Sequence, residues 1–155
     1  MTKETTDAKI DEIVNSFSDL SAASIPIEGI DEIKSIFQPD SPQAIMSRLR
    51  ASNTEFAKKT LKTLDGMSPL AVCVVFEQIV RGSKLSVKEV FEMEYRISQG
   101  FMDHTEFYEG VRAKLVEKTN DPNWKYKSVE DVPQSEVEYF FNYPAECNLD
   151  ISKDM

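Results

Sequence analysis

The chain has 155 residues, with 27 acidic and 18 basic side chains and a formal net charge of −9. That length suits one domain that buries roughly 69% of its unfolded surface, and a hydrophobic content of 41% excludes wholesale disorder. Five glycines are too few for a Gly-rich phosphate cradle or a turn-dense β fold, and no cluster of basic residues marks a nucleic-acid face.

The pattern is helix after helix. Residues 1–7 are expected to be disordered, with Asp7 as the N-cap of a first helix. Its stripe is Ile10, Ile13, Val14 and Phe17, spaced i, i+3, i+4, i+7. A looser segment from Ser18 to Glu28 holds Pro26 and is closed by Gly29. Ile30, Ile33 and Phe37 predict a short helix ended by Pro39. Ser41 with Pro42 behind it starts the next, striped by Ile45, Met46 and Leu49. Asn53 or Thr54 opens a fourth, carrying Phe56, Ala57, Thr60, Leu61 and Leu64, with Gly66 at its end.

Ser68-Pro69 repeats the cap-plus-proline signal. The helix behind it runs Leu70 to Val80 and is apolar in nearly every direction, so it is expected to be buried on all sides. Gly82 marks its far end. Ser86 and Glu89 form a capping box for a helix towards Asp103, striped by Val90, Phe91, Glu94 and Ile97. Thr105 is the expected cap of the next, with Phe107, Tyr108, Val111 and Leu115 inward. Asn120-Asp121-Pro122 breaks the pattern, and a short helix near Ser135–Phe141 closes it. The predicted class is all-α with seven or eight helices, over residues 8–141, followed by an acidic, flexible tail at 142–155.

The charge concentrates at that end. Residues 1–65 sum to −3, residues 66–128 to zero and residues 129–155 to −6. The acidic end is read first as a solvated terminus. Cys73 and Cys147 stand 74 positions apart, which makes neither a CxxC pair nor a disulfide framework. Cys73, within an apolar run, reads as core. The longest apolar run, Leu70–Phe76, is far short of the ~20 residues that span a bilayer. The first residues, MTKETTDAKIDEI, are too acidic for a transit peptide and too polar for a secretory signal.

Chemistry-bearing constellations are sparse. His104 is the single histidine and stands between Asp103 and Glu106 without a nucleophile in view, so it reads as a capping or solvent-facing residue. Metal-ligand spacing is missing, and no metal is expected. Glu92 with Arg96, and Glu109 with Arg112, have the spacing of ordinary helix ion pairs. No catalytic residue is assigned.

A family resemblance goes further. The run Phe107-Tyr108-Glu109-Gly110-Val111-Arg112-Ala113-Lys114-Leu115-Val116-Glu117-Lys118, followed by Pro122-Asn123-Trp124, resembles the C-terminal signature of the crotonase (enoyl-CoA hydratase/isomerase) superfamily. More narrowly it looks like the 3-hydroxyisobutyryl-CoA hydrolases. Met67-Ser68-Pro69, Met93-Glu94-Tyr95-Arg96-Ile97-Ser98-Gln99 and the lead-in from Phe56 to Leu64 fit that match in order. The resemblance covers roughly residues 8–141.

It implies hydrolysis of a short hydroxyacyl-CoA thioester in valine breakdown, in mitochondria when eukaryotic. Backbone N–H groups of Gly-rich loops would hold the thioester oxyanion, with acidic residues handling water and protons. The family keeps those parts in an N-terminal β/α core, and neither motif can be placed on this chain, which is therefore expected to be inactive alone. The resemblance implies no cofactor; CoA enters as part of the substrate. It carries over a nucleotide contact: a Lys near the end of the signature helix can approach CoA, which places Lys118 first and Arg112 second. Lys118 also suits the helix dipole at that end. Three positions depart from the family, at Cys73, Glu77 and Lys114, and the tail has no counterpart. The expected partners are the crotonase core or a second copy of the chain. The expected compartment is mitochondrial by resemblance, or cytoplasmic since no targeting signal is read. The alternative is a stand-alone helical interaction module derived from a crotonase paralogue.

Overall fold

Two Ser-Pro pairs and one Ser-x-x-Glu box set where the main helices begin. In the computed structural model, which describes residues 3–18 and 28–144, Ser41 Oγ accepts the Ala44 amide at 3.1 Å and Ser68 Oγ accepts that of Ala71 at 3.1 Å. Pro42 and Pro69 follow at the first helical positions, where a missing N–H costs nothing. Thr54, not Asn53, caps the next helix through the Ala57 amide at 3.1 Å. The Ser86–Glu89 box closes in both directions.

The described residues form eight α-helices: α1 Lys3–Phe17, α2 Ile30–Ile36, α3 Pro42–Ala51, α4 Glu55–Asp65, α5 Pro69–Gly82, α6 Val87–Asp103, α7 Thr105–Val111 and α8 Gln134–Phe141. A π-helical turn, Arg112–Val116, extends α7, and a 3₁₀ turn, Val129–Asp131, precedes α8. The chain divides into two units, Met1–Ser35 and Ile36–Met155. The first contains α1 and all but the last residue of α2. Here α1 begins at Lys3, so residues 3–7 are helical rather than disordered and Asp7 is not its cap. Its expected stripe is present but bare: Ile10, Ile13, Val14 and Phe17 are all more than half exposed.

In the second unit α3, α4, α5, α6 and α8 surround one core. Leu49, Ala57, Leu70, Val74 and Phe140 are fully buried there. Phe140 stacks on Phe101 with ring centroids 4.3 Å apart. Gly100 makes room for it: a Cβ at Gly100 would stand 3.0 Å from Phe140 Cδ1. Burial of a phenylalanine of this kind contributes about 2–3 kcal/mol, and truncation to alanine costs more because a cavity remains. Cys73 is core, as expected, with its thiol pushed up to about 11, chiefly by burial. Cys147 lies outside the described residues.

Arginines tie the helices at their rims. Arg48 donates to both oxygens of Asp40, each at 2.7 Å, and to the Ile36 carbonyl at 2.7 Å, closing the turn that leads into α3. That guanidinium holds the Asp40 carboxyl well below the usual carboxylate range. Arg81 of α5 donates to both oxygens of Glu138 on α8 and to Glu77 at 3.0 Å, and its guanidinium carbon lies 4.0 Å from the centre of the Phe141 ring. This pairs a bidentate ion contact with a cation–π contact across one helix–helix seam. Asn142 and Tyr143, expected in the flexible tail, are placed: Asn142 caps α8, and the Tyr143 hydroxyl donates to Asp103.

Two packing expectations are corrected. Helix α5 is not buried all round, since Val75 is 48% and Ile79 67% exposed. On α6 the buried positions are Met93, Ile97 and Gly100, while Phe91 faces out. No single helix among the described residues is long and apolar enough to cross a membrane.

Candidate functional site

The signature segment folds as α7, the π turn and the loop back to α8. Its cap is His104 rather than Thr105: His104 Nδ1 accepts the Glu106 amide at 3.2 Å. The other ring nitrogen, Nε2, then carries the proton and faces Glu136 Oε1 at 3.2 Å. Glu136 also accepts from Lys125 Nζ at 2.7 Å and from the Tyr126 hydroxyl at 3.0 Å. These donors hold the Glu136 carboxyl below its usual range, Lys125 foremost. His104 is therefore a capping residue, as its position predicts, and it also joins α7 to α8.

The inward face of α7 is not the expected one. Phe107, Tyr108 and Leu115 are 41%, 55% and 68% exposed. The residues turned inward are Glu106 and Ala113, both buried, with Gly110 between them. Spaced i, i+4, i+7, these three line one side of the helix. Glu106 is the least expected member. Its Oε2 accepts the Ser68 hydroxyl and its Oε1 accepts the Lys125 amide at 2.7 Å. A charged group at 5% exposure is tolerable only with such donors. The same Ser68 oxygen caps α5, so one buried hydroxyl joins α5 to α7, and the other oxygen of Glu106 carries the link to the loop.

One turn on, Glu109 accepts from Arg112 Nη2 at 2.7 Å, from Arg112 Nε at 2.9 Å and from the Asn123 amide at 2.5 Å. The arginine first, and then that amide, depress the Glu109 carboxyl to about 2. Arg112 also donates to Glu117. Trp124 packs on Gly110, with Cη2 3.2 Å from the place a Cβ would occupy. The Glu109–Arg112 pair has the spacing predicted; Glu92 instead has Lys88 at 3.8 Å.

Within the signature, Glu109, Arg112 and Asn123 by hydrogen bonds and Gly110 with Trp124 by packing fasten the loop to the helix. The π turn ends with Glu117 N donating to Arg112 O at 2.8 Å. Lys118 and Asn120 then take left-handed backbone angles, φ 56° and 57°, which reverse the chain. The two residues expected to contact the nucleotide differ in their surroundings. The guanidinium of Arg112 is spent on two carboxylates, so its charge is already met. Lys118 is exposed, and its ammonium has no ion-pair partner among the described residues. Lys114 lines an apolar cleft of about 510 Å³ with Phe101, Phe107, Leu115 and Trp124. Among the described residues no three His, Cys, Asp or Glu side chains converge as a metal site requires.

A second apolar surface lies beside α5. Phe37, Ile45, Met46, Leu64, Met67, Val72, Val75, Phe76 and Ile79 line a groove of about 330 Å³.

The family model for enoyl-CoA hydratase/isomerase matches residues 1–141. The chain belongs to this family. Within it, the chain is similar to mitochondrial 3-hydroxyisobutyryl-CoA hydrolases. Identity is 40% over 114 residues with the Xenopus tropicalis protein, 42% over 116 with that of Dictyostelium discoideum and 34% over 114 with that of Homo sapiens. Each alignment covers 74% of this chain and 30% of the relative, in its C-terminal part. Solved structures agree. An enoyl-CoA hydratase from Rhodobacter sphaeroides superposes on 92% of the chain with a TM-score of 0.71 at 26% identity. A carnitinyl-CoA dehydratase from Mycobacterium thermoresistibile does so with 0.70 at 28%. The chain covers 43% and 44% of those two structures. The all-α reading and the resemblance to the C-terminal part of enoyl-CoA hydratase/isomerase proteins both hold.

Reasoning from the sequence missed Ser68–Glu106 and Gly110–Trp124. The signal was available as the stripe Glu106, Gly110, Ala113, whose small and charged members do not register as a core face.

Proposed function

We propose that this chain serves as the C-terminal helical part of a 3-hydroxyisobutyryl-CoA hydrolase-type enzyme. In that enzyme water adds to the thioester carbonyl and the CoA thiol leaves, in mitochondrial valine breakdown. One observation carries the reading: proteins of that name from frog, slime mould and human align at 34–42% identity over the helical segment. The bond-breaking step is assigned to no side chain described above, and the chain by itself is inactive. Its contribution is a rigid helical face. On that face Lys118 reaches the phosphates of the nucleotide end of CoA, and Arg112, held by Glu109 and Glu117, supports the turn that presents it.

The apolar groove beside α5 suits a chain that is covered in use, by the rest of such an enzyme or, in the alternative reading, by the partner of a stand-alone interaction module. A contiguous apolar surface on a soluble domain marks a face that is covered in use. The partners proposed are the remainder of the family fold or a second copy, and neither a nucleic acid nor a membrane is invoked. The test is release of CoA from 3-hydroxyisobutyryl-CoA by native protein captured through this chain. In that protein Lys118→Ala should raise KM for the thioester several-fold and leave kcat unchanged, the mark of a binding contact made equally before and during reaction. An unchanged KM would remove Lys118 from the CoA site.

A further inference from the structure

We draw no further inference here: the strongest candidate, the apolar groove between α3, the end of α4 and α5 lined by Phe37, Met46, Met67, Val75, Phe76 and Ile79, is an unpartnered face, and nothing in the structure shows what covers it.

Discussion

Trp124 lies directly against Gly110: its Cη2 atom is 3.2 Å from the position a Cβ would take on that glycine. The glycine is required by this close approach and not by its backbone angle, since it sits within α7. Gly110→Val should therefore push the indole off the helix and destabilise the fold by about 1–3 kcal/mol, the usual cost of overpacking. Gly110→Ala should cost less, because alanine recovers about 1 kcal/mol of helix propensity. Urea denaturation followed by the emission of Trp124, the single tryptophan, measures both. Equal stability of wild type and the valine variant would show that the ring does not need this contact.

The buried carboxylate of Glu106 gives a second prediction. Glu106→Ala leaves the Ser68 hydroxyl and the Lys125 amide without their acceptor. Two unsatisfied buried donors should cost about 2–4 kcal/mol together. Glu106→Gln keeps one acceptor oxygen and should lose less than half of that. If alanine and glutamine lose the same amount in urea, the hydrogen bonds are not what holds the loop.

Acid should release the turn at Glu109. The carboxyl is depressed from 4.5 to about 2 in the folded chain, first by Arg112 and then by the Asn123 amide. A depressed carboxylate contributes stability that is full above its unfolded value and is lost as pH falls through the folded one. Thermal unfolding should therefore show a Glu109-dependent loss between about pH 4.5 and 2. The Glu109→Gln variant should show a smaller slope there and little difference in slope above pH 5. Identical pH profiles for the two proteins would contradict the assignment. The pair is half-buried and open to solvent on one side, so salt should shrink the difference in part.

What was legible in the sequence was local. Ser41, Ser68 and Ser86 announce their helices because a cap acts on residues two or three positions away, and proline at the first turn needs no partner elsewhere. The side each helix buries depends on neighbours that are distant in sequence. Periodicity marks Val75 and Ile79 as apolar but does not say whether another element covers them, and α5 was therefore expected to be buried all round. The error on α7 has the opposite cause. Its inward face is made of Glu106, Gly110 and Ala113; Glu106 meets Ser68 and Lys125, and Gly110 meets Trp124, up to 38 positions away. His104 was readable as a cap, but its bond to Glu136 spans 32 positions and was not. The family signature located this region without explaining it. The structure supplies the reason for Glu109, Gly110, Arg112, Asn123 and Trp124, which secure the loop to the helix.

The most direct test of the account uses native protein. An antibody raised to residues 142–155 would capture the protein from source cells. The captured material would then be assayed with 3-hydroxyisobutyryl-CoA and a thiol-detecting dye, beside the purified 155-residue chain. The account predicts CoA release by the native capture, on a protein or complex larger than the 17.6 kDa of this chain, and none by the purified chain above a heat-treated control. Captured protein that leaves the thioester intact, or turnover by the purified chain alone, would contradict it.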